Sequence, residues 1–278
     1  MRTTPIPHDL EQFKAMLAKL PFPLTGAQKR ALWEIMQDME QEIPMNRLLQ
    51  GDVGSGKTMV AALSAFIAAK AGFQTALMAP TEVLATQHAE SLSKLFVGEL
   101  NIALLTGSTK RKAELKKHIK AGEVDLVIGT HALITDDTEF KNLGLAIIDE
   151  QHRFGVAQRS KLSAKGTDPH LLVMSATPIP RTLALLMYGD LEVSIVGELP
   201  PGREAVDTFL VGESYRPRIN AFIRKQVAEG HQCYIVCPAV EENEELNLKA
   251  ATVWAETLQQ TVFPDLTVAL LHGQMKGA

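Results

Sequence analysis

The sequence predicts an α/β protein built on a parallel sheet around a phosphate-cradling loop, and two observations predict it. The first is Gly51-Asp52-Val53-Gly54-Ser55-Gly56-Lys57-Thr58, which fits G-x-x-x-x-G-K-[ST], the pattern of loops that hold a nucleoside triphosphate. The second is a series of short runs at 46–50, 75–78, 102–105, 124–128, 145–148 and 171–174, mostly continuous in apolar residues and separated by stretches of helical composition. Continuous apolar runs mark strands buried on both faces, and strand–helix alternation marks a parallel sheet.

The loop sits where its chemistry needs it. Residues 46–50 read as a short strand, and 59–71, rich in Ala, Leu, Ile and Phe without Gly or Pro, read as a helix. Glycines let the backbone turn its N–H groups inward, and the helix start adds partial positive charge where phosphates would lie. Lys57 supplies a full charge to the β- and γ-phosphates, and Thr58 offers a hydroxyl to Mg²⁺. Composition alone produces such a match in about one chain in a hundred of this length. The flanking strand and helix make coincidence rarer, so the loop is read as nucleotide-binding.

At 278 residues the chain accommodates one large or two medium domains, with 46% apolar and 22% charged residues as in ordinary globular proteins. Its apolar runs, such as 60–69 with Ser64 inside it, fall short of the ~20 residues that cross a bilayer. The N-terminus lacks a basic-then-apolar leader pattern. The expectation is a cytoplasmic protein with no membrane contact. Cys233 and Cys237 on one strand would stand ~13 Å apart, beyond disulfide reach, and are expected in a core. A net charge of −4 excludes a globally basic nucleic-acid binder but not a basic stripe on one face.

Taken in order, Pro5 and Pro7 precede an amphipathic helix at 10–20 that ends before Pro21 and Pro23, a lead-in. A second helix, 28–39, carries Ala31, Leu32, Ile35, Met36 and Met39 at helical spacing. Gln28 in its first turn can offer a donor and an acceptor to an adenine edge, or can simply be a solvated helix residue. After the loop helix, the runs build a RecA-like domain. In such sheets ligands gather beyond the carboxyl ends of the strands. There stand Pro80-Thr81-Glu82, Thr106-Gly107-Ser108-Thr109 and Gly129-Thr130-His131. These types bond nucleic-acid phosphate oxygens, although each alone also suits a turn or N-cap. Lys110, Arg111, Lys112, Lys116, Lys117 and Lys120 read as a solvated helix face.

The run at 145–148 leads into Asp149-Glu150-Gln151-His152. An acidic residue at a buried strand tip beside a phosphate loop can hold Mg²⁺ through its water shell, and an adjacent Glu can orient or deprotonate the attacking water. Asp149 fits the first role and Glu150 the second, the alternative being loop carboxylates that cap a helix. The hydroxyls of Ser175 and Thr177 after the next run can bond the 149–152 loop and sense a γ-phosphate.

Together these residues resemble the superfamily 2 helicases. The resemblance makes Gln28 the adenine-reading glutamine, residues 51–58 motif I, Pro80-Thr81-Glu82 motif Ia, residues 149–152 motif II with Gln151 and His152 in coupling, and Ser175-Ala176-Thr177 motif III. Gly129-Thr130-His131-Ala132-Leu133, Asp149-Glu150-Gln151-His152-Arg153-Phe154-Gly155 and Ala176-Thr177-Pro178-Ile179-Pro180-Arg181-Thr182-Leu183 are similar to the RecG family of branched-DNA helicases. Transcription-repair coupling translocases are similar over the same stretches but usually carry a further acidic residue where Gln151 stands.

The resemblance implies an ATP- and Mg²⁺-dependent motor, with Asp149, Glu150 and Lys57 catalytic, Thr58 and Asp149 holding metal, and residues 80, 81, 107, 108 and 129–131 on DNA. Its implied partner is branched duplex DNA (forks and Holliday junctions), handled by a monomer. It divides the chain into a lead-in with the adenine reader (1–37), a first RecA-like domain (38–203) and the start of a second (204–278). Strands are expected there at 208–211, 232–237 and 268–271, and helices at 215–229 and 246–260. It also implies a fragment of a longer protein, without a wedge domain or the later arginine-bearing motifs.

Overall fold

The computed structural model describes residues 2–149, 161–162, 164–166, 168–177, 191–198, 206–237 and 244–272. They divide into two units, Met1–Glu204 and Ala205–Ala278. In the first unit seven strands form one sheet: β1 (Asn46–Gly51), β2 (Gln74–Met78), β3 (Ile102–Leu105), β4 (Leu126–Gly129), β5 (Leu143–Ile148), β6 (His170–Ser175) and β7 (Glu192–Val196). Their order is β3-β4-β2-β5-β6-β1-β7, and every pairing is parallel. The expected α/β architecture is therefore present. Fully buried Leu49, Leu77, Ile147 and Val173 show why the runs are continuous, each such side chain contributing about 1.5–3 kcal/mol of burial.

Among the described residues of this unit there are five α-helices: α1 (Leu10–Lys19), α2 (Gly26–Met39), α3 (Lys57–Lys70), α4 (Glu82–Leu95) and α5 (Lys112–Ala121). A helix apolar on nearly every side has to lie inside, and α3 packs between α2 and strands β1, β2 and β5. Its amino end is thereby fixed at the carboxyl end of β1. The opening segment packs on the same unit. Thr3 and Ile6 donate backbone N–H groups to Glu42 and Met39, while Ile6, Phe13 and Met16 join the core. Lys19 of α1 and Lys70 of α3 both bond Glu99, and these contacts hold its carboxyl down at about 2.

β7 was not among the expected strands. Glu192 and Ser194 interrupt its apolar run, yet Ser194 is buried because Arg47 of β1 reaches its hydroxyl at 2.8 Å. The same buried guanidinium bonds Asp38 at 2.7 Å and Glu34 at 3.3 Å on α2. One arginine thus fastens α2 to two strands, and a buried cation so paired escapes the desolvation cost of a lone charge.

In the second unit, α6 (Arg216–Ala228) and α7 (Glu244–Thr257) fall on the expected helices. Arg224 bonds Asp265 at 2.6 Å and the Val262 carbonyl at 2.6 Å, over the ring of buried Phe263. The expected strands do not form: 208–211, 232–237 and 268–271 carry no ladder. Cys233 and Cys237, expected in a core, are exposed. The physical reason is that a strand is buried only by neighbours, and among the described residues no other strand pairs with these segments.

Gly129 ends β4 where β3 runs close beside it, and a Cβ there would strike the Leu105 carbonyl oxygen. Backbone cannot yield as a side-chain tip does. Gly129→Ala is expected to cost about 1–3 kcal/mol or more, as overpacking does, measured by urea unfolding. Wild-type stability would show that β3 and β4 are not so closely apposed.

Candidate nucleotide and nucleic-acid site

Because all seven strands point the same way, the segments following them emerge at one edge of the sheet. The 51–58 loop follows β1, Asp149 follows β5 and Ser175 ends β6, and these three strands are neighbours in the order β5-β6-β1. The other half of the edge is β3-β4-β2, which carries Thr106–Thr109, Gly129–His131 and Pro80–Glu82. The sequence-predicted residues thus fall into two adjoining groups.

In the loop, Ser55 N–H closes a turn on the Asp52 carbonyl at 3.1 Å, and Gly56 caps α3 with φ 87°. A left-handed residue at a helix start favours glycine. The Lys57 ammonium donates to the carbonyls of Gly51 at 2.6 Å and Asp52 at 2.9 Å. It therefore lies folded into the concavity that the loop encloses. Buried Ser55 Oγ has no hydrogen-bond partner among the described residues, and a buried hydroxyl left so is costly unless a ligand supplies the bond. The loop consequently fits an oxygen-rich anion.

Gln28 is held beside this loop from two directions. Its Oε1 accepts from Thr25 N–H at 2.9 Å while Thr25 Oγ1 accepts from Gln28 N–H at 3.2 Å, a reciprocal capping box. Its Nε2 donates to the Ser55 carbonyl at 2.8 Å. An amide has two donors and two acceptor positions, so one of each remains for a planar ring edge. The Thr-x-x-Gln spacing was legible in the sequence and its capping role was missed. Glu198, after β7, also serves α2: the Ala27 amide and the Arg30 guanidinium hold its carboxyl below the usual range.

Asp149 is nearly buried, and its Oδ2 lies 2.8 Å from His88 Nε2 on α4. No sequence signal pointed to His88. Among the described residues no group of three or more His, Cys, Asp or Glu could hold a metal ion. The Asp149 carboxylate, one oxygen of which is engaged by His88, and the Thr58 hydroxyl are oxygen donors of the kind that Mg²⁺ takes. Ser175 and Thr177 bond each other, Oγ to Oγ1 at 3.0 Å and Thr177 N–H to Ser175 Oγ at 3.2 Å. Their expected bonds to 149–152 involve Glu150, Gln151 and His152, which lie outside the described residues, as do Arg153 and Arg181.

On the other half-edge, Thr81 Oγ1 caps α4 by accepting from Leu84 N–H at 3.3 Å. Ser108 Oγ donates to Glu82 at 2.7 Å, joining two of the three loops, and Thr106 bonds Ser108 and Thr109. Thr130 is buried and His131 exposed. On α5, Lys116 pairs with Asp137 and Lys120 with Glu139, each at 2.6 Å.

Nucleotide-loop, acidic and hydroxyl groups on β1, β5 and β6 of a parallel sheet define a RecA-like helicase domain. The sequence profile of the DEAD/DEAH box helicases matches residues 25–186, and the chain belongs to that family. Curated relatives are ATP-dependent DNA helicases RecG. The one from Synechocystis sp. is 51% identical over 99% of this chain and 33% of its own length. The one from Aquifex aeolicus is 52% identical over 96% of this chain and 34% of its own. The chain spans about a third of the length of these relatives. A solved structure of RecG bound to a three-way DNA junction is 46% identical with a TM-score of 0.80, over 94% of this chain and 35% of that one. The DEAD-box helicase Mss116 shares the fold at 18% identity and a TM-score of 0.69. Among the described residues no helix is long and apolar enough to cross a membrane.

A Cβ at Gly56 would collide with the Gln28 amide nitrogen, on a backbone where an L-residue is strained by about 1–2 kcal/mol. Gly56→Ala is expected to displace Gln28 from Ser55 and to weaken nucleotide binding at least about tenfold, the effect of losing ~1.4 kcal/mol, by fluorescence titration. Wild-type affinity in that variant would show that loop and Gln28 are not mutually positioned.

Proposed function

We propose that this chain is the ATP-driven motor region of a RecG-type DNA helicase, which in the whole protein remodels stalled forks and Holliday junctions. The observation that carries this reading is the division of one sheet edge into a nucleotide half and a hydroxyl-rich half, in a chain 46% identical to RecG seen on a three-way junction. Residues 1–37 are taken as lead-in and adenine reader, 38–203 as the first RecA-like domain and 204–278 as the start of the second. The reading takes the protein as a cytoplasmic monomer.

In this reading the Lys57 ammonium exchanges the Gly51 and Asp52 carbonyls for β- and γ-phosphate oxygens, a charge-assisted contact stronger than the neutral ones it replaces. Ser55 Oγ finds its missing partner on the same phosphates, and the spare donor and acceptor of Gln28 read the adenine edge. Thr58 and Asp149 hold Mg²⁺, which when bound neutralises charge on the β- and γ-phosphates. Glu150 takes the proton of the attacking water, with Gln151, His152, Ser175 and Thr177 coupling nucleotide state to DNA. Pro80, Thr81, Gly107, Ser108, Gly129, Thr130 and His131 contact the DNA backbone, so binding by this chain should fall steeply with salt.

Two substitutions test the assignment together. Lys57→Ala is expected to lower ATP affinity about 10–100-fold, from a lost charged hydrogen bond of ~1.5–3 kcal/mol, with unchanged thermal melting. Glu150→Gln is expected to keep Mg²⁺–ATP binding and lose hydrolysis, because an amide cannot accept the water's proton. Unaltered affinity and turnover in Lys57→Ala would defeat the loop assignment, and failure of Glu150→Gln to bind would make Glu150 a metal ligand instead.

A further inference from the structure

The partner of Asp149 comes from a helix that also serves the other half of the edge. Asp149 N–H bonds the Met78 carbonyl at 2.9 Å, and Met78 pairs with Ile148 in the β2–β5 register, so the strand that presents Asp149 is locked beside the strand that leads into α4. Two turns into α4, His88 brings Nε2 to 2.8 Å from Asp149 Oδ2, with the two side chains only 14% and 11% exposed. A carboxylate can only accept, so Nε2 bears the hydrogen and donates. At the start of the same helix Thr81 is the N-cap and Glu82 holds Ser108.

We propose that His88 is a positioning residue for the divalent cation. By occupying Oδ2 it fixes the rotamer of Asp149 and leaves the other carboxylate oxygen to the water shell of the metal. Through α4 it ties that orientation to the 80–82 and 107–108 loops. The proposal rests on the nucleotide reading of the site. Two features make it consequential. Mg²⁺ tolerates little departure from octahedral geometry. Loss of a hydrogen bond that orients a metal-ligating side chain typically costs 10–100-fold in metal affinity.

The test uses Mn²⁺ as the stand-in for Mg²⁺, measuring free Mn²⁺ by electron paramagnetic resonance in the presence of saturating ADP. His88→Leu removes the donor and is expected to weaken Mn²⁺ uptake by about 10–100-fold, while metal-free ADP affinity and thermal melting stay as in the wild type. His88→Gln carries an amide nitrogen at the reach of Nε2 and is expected to restore uptake; His88→Asn, one bond shorter, is expected to resemble Leu. Should the Leu variant not fold, the contrast between Gln and Asn decides the matter. Wild-type uptake by His88→Leu, or equal uptake by Gln and Asn, would overturn the proposal while leaving the nucleotide reading intact. Absence of Mn²⁺ uptake in the wild-type chain with ADP would overturn both.

Discussion

Everything functional in this chain depends on the parallel direction of seven strands. A parallel sheet sends each strand's carboxyl end to the same side, so loops far apart in sequence meet without any being specially long. The helices returning the chain must then cover both faces, which is why the central strands β2, β4 and β5 are buried along their whole length. α3 takes the most buried of these positions, and its apolar surface fixes the amino end that the 51–58 loop wraps. Core packing and loop geometry are therefore one arrangement: the apolar side chains that bury α3 also fix where its amino end points.

The strand order then divides the labour. The candidate nucleotide groups lie on β1, β6 and β5, and the candidate DNA-facing loops lie on β2, β4 and β3. β2 and β5 are adjacent at the seam between the halves. α4 begins on one side of that seam with Thr81 and Glu82 and meets Asp149 of the other through His88. α4 offers a short route by which contact with a backbone at its first turn can bias a carboxylate two turns further on. On the far side of the nucleotide half, Arg47 and Glu198 fasten α2, and with it Gln28, to the sheet and to the segment after β7.

Much of this was legible in the sequence because burial on both faces leaves a continuous apolar run, and the residue after each run is the one at the edge. The same rule explains the misses. β7 is an edge strand whose Ser194 is buried by a hydrogen bond, so polarity concealed it. Segments 208–211, 232–237 and 268–271 have the composition of buried strands but no neighbours among the described residues, and composition cannot report a missing neighbour; Cys233 and Cys237 are exposed for that reason. Thr25 could have been read from its spacing to Gln28. His88 could not, since it stands out only through its contact with Asp149 after β5, a tertiary fact with no local signature. Gly129 stood out as a possible DNA contact, and the structure adds a packing reason for it at the β3–β4 approach.

In the proposed function this chain supplies the nucleotide cradle of a DNA motor whose full turnover needs more of the protein. In helicases of the kind it resembles, ATP lies between two RecA-like domains, and arginines of the second stabilise the transferring phosphate, a contribution worth ~10³–10⁵ in rate in comparable NTPases. The direct measurement is steady-state ATP hydrolysis by residues 1–278, with and without a three-way DNA junction, beside a longer chain extended to the length of the relatives. Mg²⁺–ATP binding with slow, junction-insensitive hydrolysis is expected in the first and strong junction stimulation in the second. Comparable junction-stimulated turnover in both would contradict it, and would mean that an arginine within this chain, such as Arg153 or Arg181, already completes the site.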